Sequence, residues 1–188
     1  EITPFEDGDF TEERFLEVYN ANLANGLGNL VSRTLKMAEQ YFDGSISRRK
    51  DTDVPLKRTL TTIGGKEELE GFSIPYIIHN TIFPEYYKKM DSFEVNAAAD
   101  SVWELIGILD GYITDYEPFK LIKDDKEKTE NIIWNLLYGL YYISLTLTPF
   151  MPETADKINN LLGVKFDGEG VPVSFNTKKV ENPLFERK

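Results

Sequence analysis

The chain has 188 residues, of which 41% are hydrophobic and 28% are charged, a composition typical of a folded globular domain. It contains no cysteine, which excludes disulfides, a thiolate nucleophile and cysteine-bound zinc. No run of about 18 apolar residues occurs, so no membrane-spanning helix is predicted. The formal net charge of −11 argues against a broad nucleic-acid-binding surface, because phosphate contacts need clustered Lys and Arg. Any RNA contact should therefore be small and local.

The first nine residues are acidic and lack an initiator Met. This predicts a fragment boundary rather than a signal peptide. A chain without cysteine also suits a reducing compartment, so we expect a cytoplasmic location.

A long helix is predicted at the start of the chain. Thr11, followed by two glutamates, is a good N-cap. Apolar residues recur at steps of three and four as far as Phe42, which predicts one amphipathic α-helix of roughly eight turns, ended by Asp43-Gly44. Gly26 and Gly28 within it each cost roughly 1 kcal/mol against Ala. We therefore expect another segment to pack closely against them.

Four further helical segments are predicted along the chain. They cover 74–90, interrupted near Pro84; 92–116, before Pro118; Asp124-Asp125 to Pro149; and Pro152 to Gly163. The fold class predicted is all-α: an antiparallel helix bundle of about five main helices. We expect a helical domain at 1–163 and an extended C-terminal tail at 164–188 that packs back on the bundle through Leu184 and Phe185.

An insertion or excursion is expected at about 45–90. Its first part is locally basic, with Arg48, Arg49, Lys50, Lys57, Arg58 and Lys66. Pro55 and Gly64-Gly65 break any long periodicity there. A solvated surface loop is the first interpretation, and a contact with RNA phosphates is the alternative.

Catalytic chemistry is nearly absent from the sequence. The single histidine, His79, follows an apolar stretch and is expected to be a packed or surface side chain. One histidine without cysteine offers no HExxH-type zinc spacing, and Gly64-Gly65-Lys66 lacks the spacing of a P-loop. We expect no catalytic residue, metal site or cofactor within this chain.

The first predicted helix carries a polar stripe. Asn22, Gly26, Asn29 and Arg33 are spaced by four, three and four residues, which places them on one face of an α-helix. Amide and guanidinium groups can hydrogen-bond the edge of an unstacked base. The alternative, which spacing alone favours, is that Asn29 and Arg33 bond to a neighbouring helix or loop.

Several motifs resemble, in the right order, the anticodon-binding domain of methionyl-tRNA synthetases, which are class I enzymes. Residues 20–33, with their Asn-x-x-x-Arg ending, resemble the opening helix of that domain. The further matches are 41–44, an aromatic-Gly helix end; 112–123, with Pro-Phe-x-Leu-x-Lys; 147–155, with Pro-Phe-Met-Pro-Glu; and 183–185, a Leu-Phe end. The resemblance covers most of the chain outside the excursion, and the Pro-Phe-Met-Pro-Glu element is shared among related class I synthetases.

The resemblance implies recognition of the tRNA anticodon within a methionine–tRNA ligase. Asn29 and Arg33 would hydrogen-bond anticodon bases, in particular the first, a cytosine. Phe119 occupies the position where the family usually has Trp, and it would stack on a base. Asp110 replaces the family's usual Asn. Further candidate contacts within the matching stretches are Asn22, Asn25 and Tyr112.

The same resemblance implies that aminoacylation belongs to a catalytic domain of the same polypeptide. The His-x-Gly-His and Lys-Met-Ser-Lys-Ser motifs of that domain are missing from this sequence. ATP would be its cofactor, with zinc left open, and the tRNA anticodon loop and the catalytic domain would be the partners of this chain. Two alternatives stay open: the anticodon-binding domain of another class I synthetase, and a helical protein-interaction module that does not bind RNA.

Overall fold

The computed structural model describes residues 10–48, 54–61 and 68–188. The acidic N-terminus and part of the basic excursion, including Arg49, Lys50, Lys66 and Gly64-Gly65, lie outside the described residues. The α-helices are α1 (Glu12–Val18), α2 (Asn29–Phe42), α3 (Ile74–Ile77), α4 (Phe83–Asp91), α5 (Val95–Tyr116), α6 (Pro118–Leu121), α7 (Lys126–Leu147) and α8 (Pro152–Leu162). Two π-helical segments, Tyr19–Gly28 and Ile78–Ile82, join α1 to α2 and α3 to α4.

The strands are short and form two small antiparallel sheets. They are β1 (Ser45–Ser47), β2 (Leu60–Thr61), β3 (Glu68–Leu69), β4 (Val164–Phe166) and β5 (Pro172–Asn176). One sheet has the order β1-β5-β4, and the other pairs β2 with β3. The predicted helix bundle is confirmed, with these sheets added at its edge.

The helix at the centre of the bundle is α7. Residues 129–140 are all buried, as expected of a helix that neighbours cover on every side. It packs against α2, α5 and α8. At the α5–α7 contact a Cβ on Gly139 would come within 2.6 Å of the Leu109 side chain, so the missing side chain lets the two helices approach closely.

The predicted helix ends agree with the structure where proline or glycine marks them. Helix α7 ends at Leu147, two residues before Pro149, and α8 begins with Pro152 in its first turn. Gly163 adopts the left-handed conformation that ends α8, which is the usual place for glycine.

The first helix differs from the prediction, because its middle is π-helical from Tyr19 to Gly28. A π-helix closes i→i+5 hydrogen bonds and turns more slowly per residue than an α-helix. Gly26 and Gly28 lower the preference of this stretch for α-helix. Steps of three and four residues therefore align side chains in α2 but not across the π-segment.

The C-terminal tail is extended, as predicted, and part of it forms the strands β4 and β5. Ile46 of β1 faces Phe175 of β5, and both are fully buried. The tail then returns along the first helix, where Phe185 lies 3.3 Å from the place of a Gly28 Cβ. The expected close packing is thus found at Gly28. Gly26 meets only Ala21 O of its own helix.

The excursion is more than a surface loop. Val54, Leu56 and Leu69 are buried members of the hydrophobic core, and a backbone hydrogen bond of 3.0 Å from Leu56 N to Phe72 O closes the segment. The interpretation of a wholly solvated loop is therefore wrong for these residues.

Gly163→Ala should destabilise the domain by more than about 1 kcal/mol, because its φ is +56° and a Cβ would overlap the Asn176 carbonyl of β5. The measurement is the free energy of unfolding in urea. Gly107→Ala on α5 is the matched control, since a Cβ there meets nothing within 4 Å. It should stabilise the helix by up to about 1 kcal/mol. Equal effects of the two variants would contradict this account.

Candidate nucleic-acid interface

Asn29 and Arg33 lie one turn apart on α2. Asn29 is exposed, and Arg33 donates from Nη1 to Asp110 Oδ1 on α5 at 2.9 Å. The side chains of Arg33 and Asp110 are 37% and 52% exposed, so this is a surface ion pair, worth about 0–1 kcal/mol. The hydrogen bond uses one of the five guanidinium N–H donors. Arg33 therefore bonds to a neighbouring helix, as the alternative interpretation expected, and its side chain still faces solvent.

Phe119 lies on α6, just beyond the end of α5. Glu117 turns the chain between the two helices with φ of 44°, and Pro118 is buried beside it. The Phe119 ring is 45% exposed, and the Lys120 ammonium lies 5.9 Å from its centroid. A half-exposed ring on an anchored helix can stack on a base.

Asp110 connects the two parts of this surface. It belongs to the last two turns of α5 and lies six positions before Tyr116, the last residue of the helix. That is roughly 9 Å along the axis. The Arg33–Asp110 pair and the Phe119 ring therefore lie around the same end of α5. We call Asn29, Arg33, Asp110 and Phe119 the α2–α5 surface.

Two asparagines of the π-segment are held by the C-terminal residues. Asn25 Oδ1 accepts from Arg187 Nη2 at 2.7 Å. Asn20 Nδ2 donates to Lys188 O at 2.8 Å, and its Oδ1 accepts from Lys188 N at 3.0 Å. Asn25, predicted to contact RNA, is therefore engaged by Arg187. The tail runs antiparallel to the π-segment, an arrangement that spacing could not show.

Asn22 is half-buried. Its side chain makes no hydrogen bond to any residue in the described ranges. Because the π-segment rotates it away from the row of Asn29 and Arg33, the predicted stripe is continuous only within α2.

Tyr112 does not fit the prediction of a direct RNA contact. It is 1% exposed, and its hydroxyl donates to Val54 O at 2.7 Å. Asn135 Nδ2 donates to the same hydroxyl at 2.9 Å. Tyr112 therefore ties the excursion to α5 and α7 beneath the surface, and we withdraw it from the set of contacts.

The excursion residues next to Val54 also dock on the end of α5. Lys57 Nζ donates to Asp115 O at 2.8 Å and lies 4.1 Å from the Tyr116 ring centroid. Arg58 forms a bidentate ion pair with the Asp115 carboxylate, and this hydrogen bonding raises the pKa of Arg58. Both cations thus have protein partners close to Phe119.

His79 belongs to an aromatic cluster rather than to a reactive site. Its Nε2 lies 2.8 Å from the Tyr138 hydroxyl, and it packs edge-on against Tyr142. Partial burial lowers the pKa of His79, and burial raises the pKa of Tyr138. Within the described ranges no cluster of three metal-ligating side chains is found. No helix of that part is long and apolar enough to cross a bilayer.

Tyr112→Phe should destabilise the domain by about 1–3 kcal/mol, because Val54 O and the buried Asn135 amide lose their shared partner. Urea unfolding measures this. Tyr76→Phe is the matched control, since Tyr76 is 42% exposed and should tolerate loss of its hydroxyl. A Tyr112→Phe variant as stable as the control would show that the hydrogen bonds contribute nothing.

Comparison with known proteins relates this domain to aminoacyl-tRNA synthetases, although no protein-family model matches the sequence. The methionine–tRNA ligase of Clostridium acetobutylicum is 37% identical over 164 residues, which cover 86% of this chain and 23% of that protein. The ligase of Listeria monocytogenes serotype 4b is 32% identical over 193 residues, covering 96% of this chain and 27% of the relative. The chain thus spans about a quarter of the length of the relatives it matches.

Solved structures show the same fold. The apo methionyl-tRNA synthetase of Mycobacterium tuberculosis superposes with a TM-score of 0.76 at 21% identity, over 97% of this chain and 36% of that one. The same enzyme with methionyl-adenylate gives a TM-score of 0.74 at 19% identity, over 95% of this chain and 34% of that one.

The bundle is therefore the helical domain of an aminoacyl-tRNA synthetase. Sequence similarity to the two ligases covers 86% and 96% of the chain. The chain belongs to the methionyl-tRNA synthetase family and corresponds to its C-terminal helical domain. This confirms the resemblance and the fold class expected from the sequence.

Proposed function

We propose that this domain recognises the anticodon loop of tRNA within a methionine–tRNA ligase. The observation that carries the proposal is the α2–α5 surface. It combines an exposed amide on Asn29, a solvent-facing guanidinium on Arg33 and an exposed ring on Phe119 around one end of α5. Single-stranded RNA loops are recognised by this combination of base-edge hydrogen bonds and stacking.

Arg33 and Asp110 would read a base edge together. Cytosine offers an amino donor beside ring and carbonyl acceptors, and a carboxylate can accept from its amino group. Arg33 can donate to the acceptors while Asp110 accepts from the amine. Because the surface ion pair costs little to rearrange, a cytosine can enter between the two groups. We therefore assign the first anticodon base, a cytosine, to Arg33 and Asp110, with Asn29 beside them.

Phe119 would hold the unstacked base or its neighbour. An aromatic ring contributes about 1–3 kcal/mol per stacked base. Phenylalanine supplies the stacking face of the family's tryptophan without its N–H donor. The buried Pro118 holds the ring in place before the RNA arrives, which reduces the entropy lost on binding.

The remainder of the ligase would supply the chemistry. The similar proteins are named methionine–tRNA ligases, so we propose that a catalytic domain of the same polypeptide activates methionine with ATP in the cytoplasm. Zinc, if the enzyme uses it, would also be bound there. Contacts of that domain with the acceptor end of tRNA would explain how a chain of net charge −11 functions in RNA recognition.

Arg33→Ala should lower kcat/KM of the complete ligase for its cognate tRNA by roughly 5- to 150-fold, because it removes a base contact worth about 1–3 kcal/mol. Aminoacylation kinetics measure it, and methionine activation without tRNA should not change. Lys165→Ala on β4 is the control for loss of one positive charge. An unchanged kcat/KM in Arg33→Ala would refute anticodon reading by this residue.

Phe119→Ala should weaken binding of an anticodon stem-loop to this chain by a similar factor, whereas Phe119→Trp should keep or increase the affinity. Fluorescence anisotropy at low salt is the measurement. Phe93→Ala is the matched control: Phe93 is 89% exposed and precedes the opposite end of α5, roughly 33 Å away. Equal losses at both positions would rule out a local stacking role. No binding of any stem-loop would favour a protein-interaction module instead.

A further inference from the structure

A cleft beside α2 is lined by lysines that the α2–α5 surface does not include. One wall is formed by Gly28 at the end of the π-segment and Ser32 in the first turn of α2, a second by Lys157 and Leu161 of α8, and the third by tail residues 178–184. Its volume is about 590 Å³, within the range of roughly 300–1,000 Å³ typical of ligand sites.

The wall formed by the tail is fixed by backbone hydrogen bonds. Lys178 N donates to Leu161 O at 2.8 Å, and the preceding Thr177 N donates to Gly44 O at 2.8 Å. Phe185 packs against Gly28 beyond the cleft. The tail is therefore attached to the bundle on both sides of the cleft, at residues 177–178 and at Phe185.

The charge of the cleft is opposite to that of the chain. Lys157, Lys178 and Lys179 line it against the single carboxylate of Glu181. All three lysines are exposed, and none forms an ion pair with a carboxylate in the ranges that the structure describes. In a chain of net charge −11, three unneutralised ammonium groups around one cleft select for an anion. Lysine binds phosphate as a flexible point charge.

The cleft adjoins the residues proposed to read bases. Gly28 and Ser32 are four residues apart and share one row of the helix. Asn29 and Arg33 form the next row, about 100° further around the axis. A nucleic-acid strand that crosses α2 would place phosphates between the lysines on one side and turn its bases toward Arg33 and Phe119 on the other.

We propose that this cleft binds phosphate groups of the RNA backbone while the α2–α5 surface reads the bases. The inference rests on the proposed function, because the RNA is the tRNA whose anticodon lies next to the cleft. The lysines would fix the position of the strand and contribute affinity without sequence preference. Leu161, which also lines the cleft and is partly exposed, offers an apolar surface beside the lysines.

The test measures binding of an anticodon stem-loop to the full chain across a series of salt concentrations. The cleft variant carries Lys157→Gln, Lys178→Gln and Lys179→Gln. The slope of log K against log salt should fall by roughly 0.7 for each lost contact to single-stranded RNA. Affinity at low salt should drop about tenfold or more, whereas the ratio between the cognate loop and one with an altered anticodon should stay the same. The control variant, Lys88→Gln, Lys89→Gln and Lys165→Gln, removes the same charge elsewhere.

The outcomes separate this inference from the proposed function. Equal slopes in the two triple variants overturn the cleft as a phosphate site, and Arg33→Ala can still show anticodon reading in the same assay. A second outcome is salt-sensitive RNA binding that has no base preference and that the cleft variant weakens. It supports phosphate binding by the cleft and contradicts anticodon reading. Absence of any RNA binding overturns both.

A free phosphate compound is the other source of the same chemistry. Pyrophosphate titrated into the chain by calorimetry tests it. The cleft is assigned to a small molecule if pyrophosphate binds with micromolar affinity, the cleft variant loses this binding, and the RNA salt slope is unchanged. This result would overturn the RNA assignment. Weak or absent pyrophosphate binding together with the reduced slope supports RNA.

Discussion

Residues 129–140 of α7 are buried around the whole circumference of the helix. The helices α2, α5 and α8 surround α7 and pack against it. Arg33 of α2 and Asp110 of α5 are therefore carried by helices that pack on α7. Gly139 lets α5 approach α7 closely, and Asn135 links α7 to Tyr112 and the excursion. The surfaces at the end of α5 therefore rest on a core that contributes no functional group of its own.

The polar groups themselves are held by weak, exposed interactions. Arg33 and Asp110 form a pair open to solvent, and the cleft lysines have no carboxylate partner within the described part of the chain. Under the proposed function this division has a physical reason, because the core would provide the stability while the surface groups exchange protein partners for RNA. The three cleft lysines would then supply local positive charge for a polyanionic ligand in an acidic chain.

Sequence predicted those features that depend on neighbours in the chain. Proline and glycine marked the ends of α7 and α8, and the motif of residues 20–33 identified the family. Contacts between distant residues could not be predicted from the sequence, as for Asp110, which lies 77 residues from Arg33. The burial of Tyr112 could not be predicted either, because the motif that contains it does not distinguish a buried ring from an exposed one. The π-segment was missed because its apolar residues Tyr19, Leu23 and Leu27 recur at steps of four, a spacing that also fits an α-helix. The cleft lysines come from two distant segments.

The corner at Glu117 has a consequence for how the ring of Phe119 moves. A left-handed conformation costs an L-residue about 1–2 kcal/mol, a cost that glycine would avoid. Glycine would also widen the range of backbone angles open to the junction and let α6 pivot on α5. With glutamate at φ of 44°, fewer backbone angles are open to the junction than glycine would allow, whereas the exposed Glu117–Lys120 ion pair adds little. The orientation of the Phe119 ring relative to α5 is therefore set mainly by the backbone at this corner.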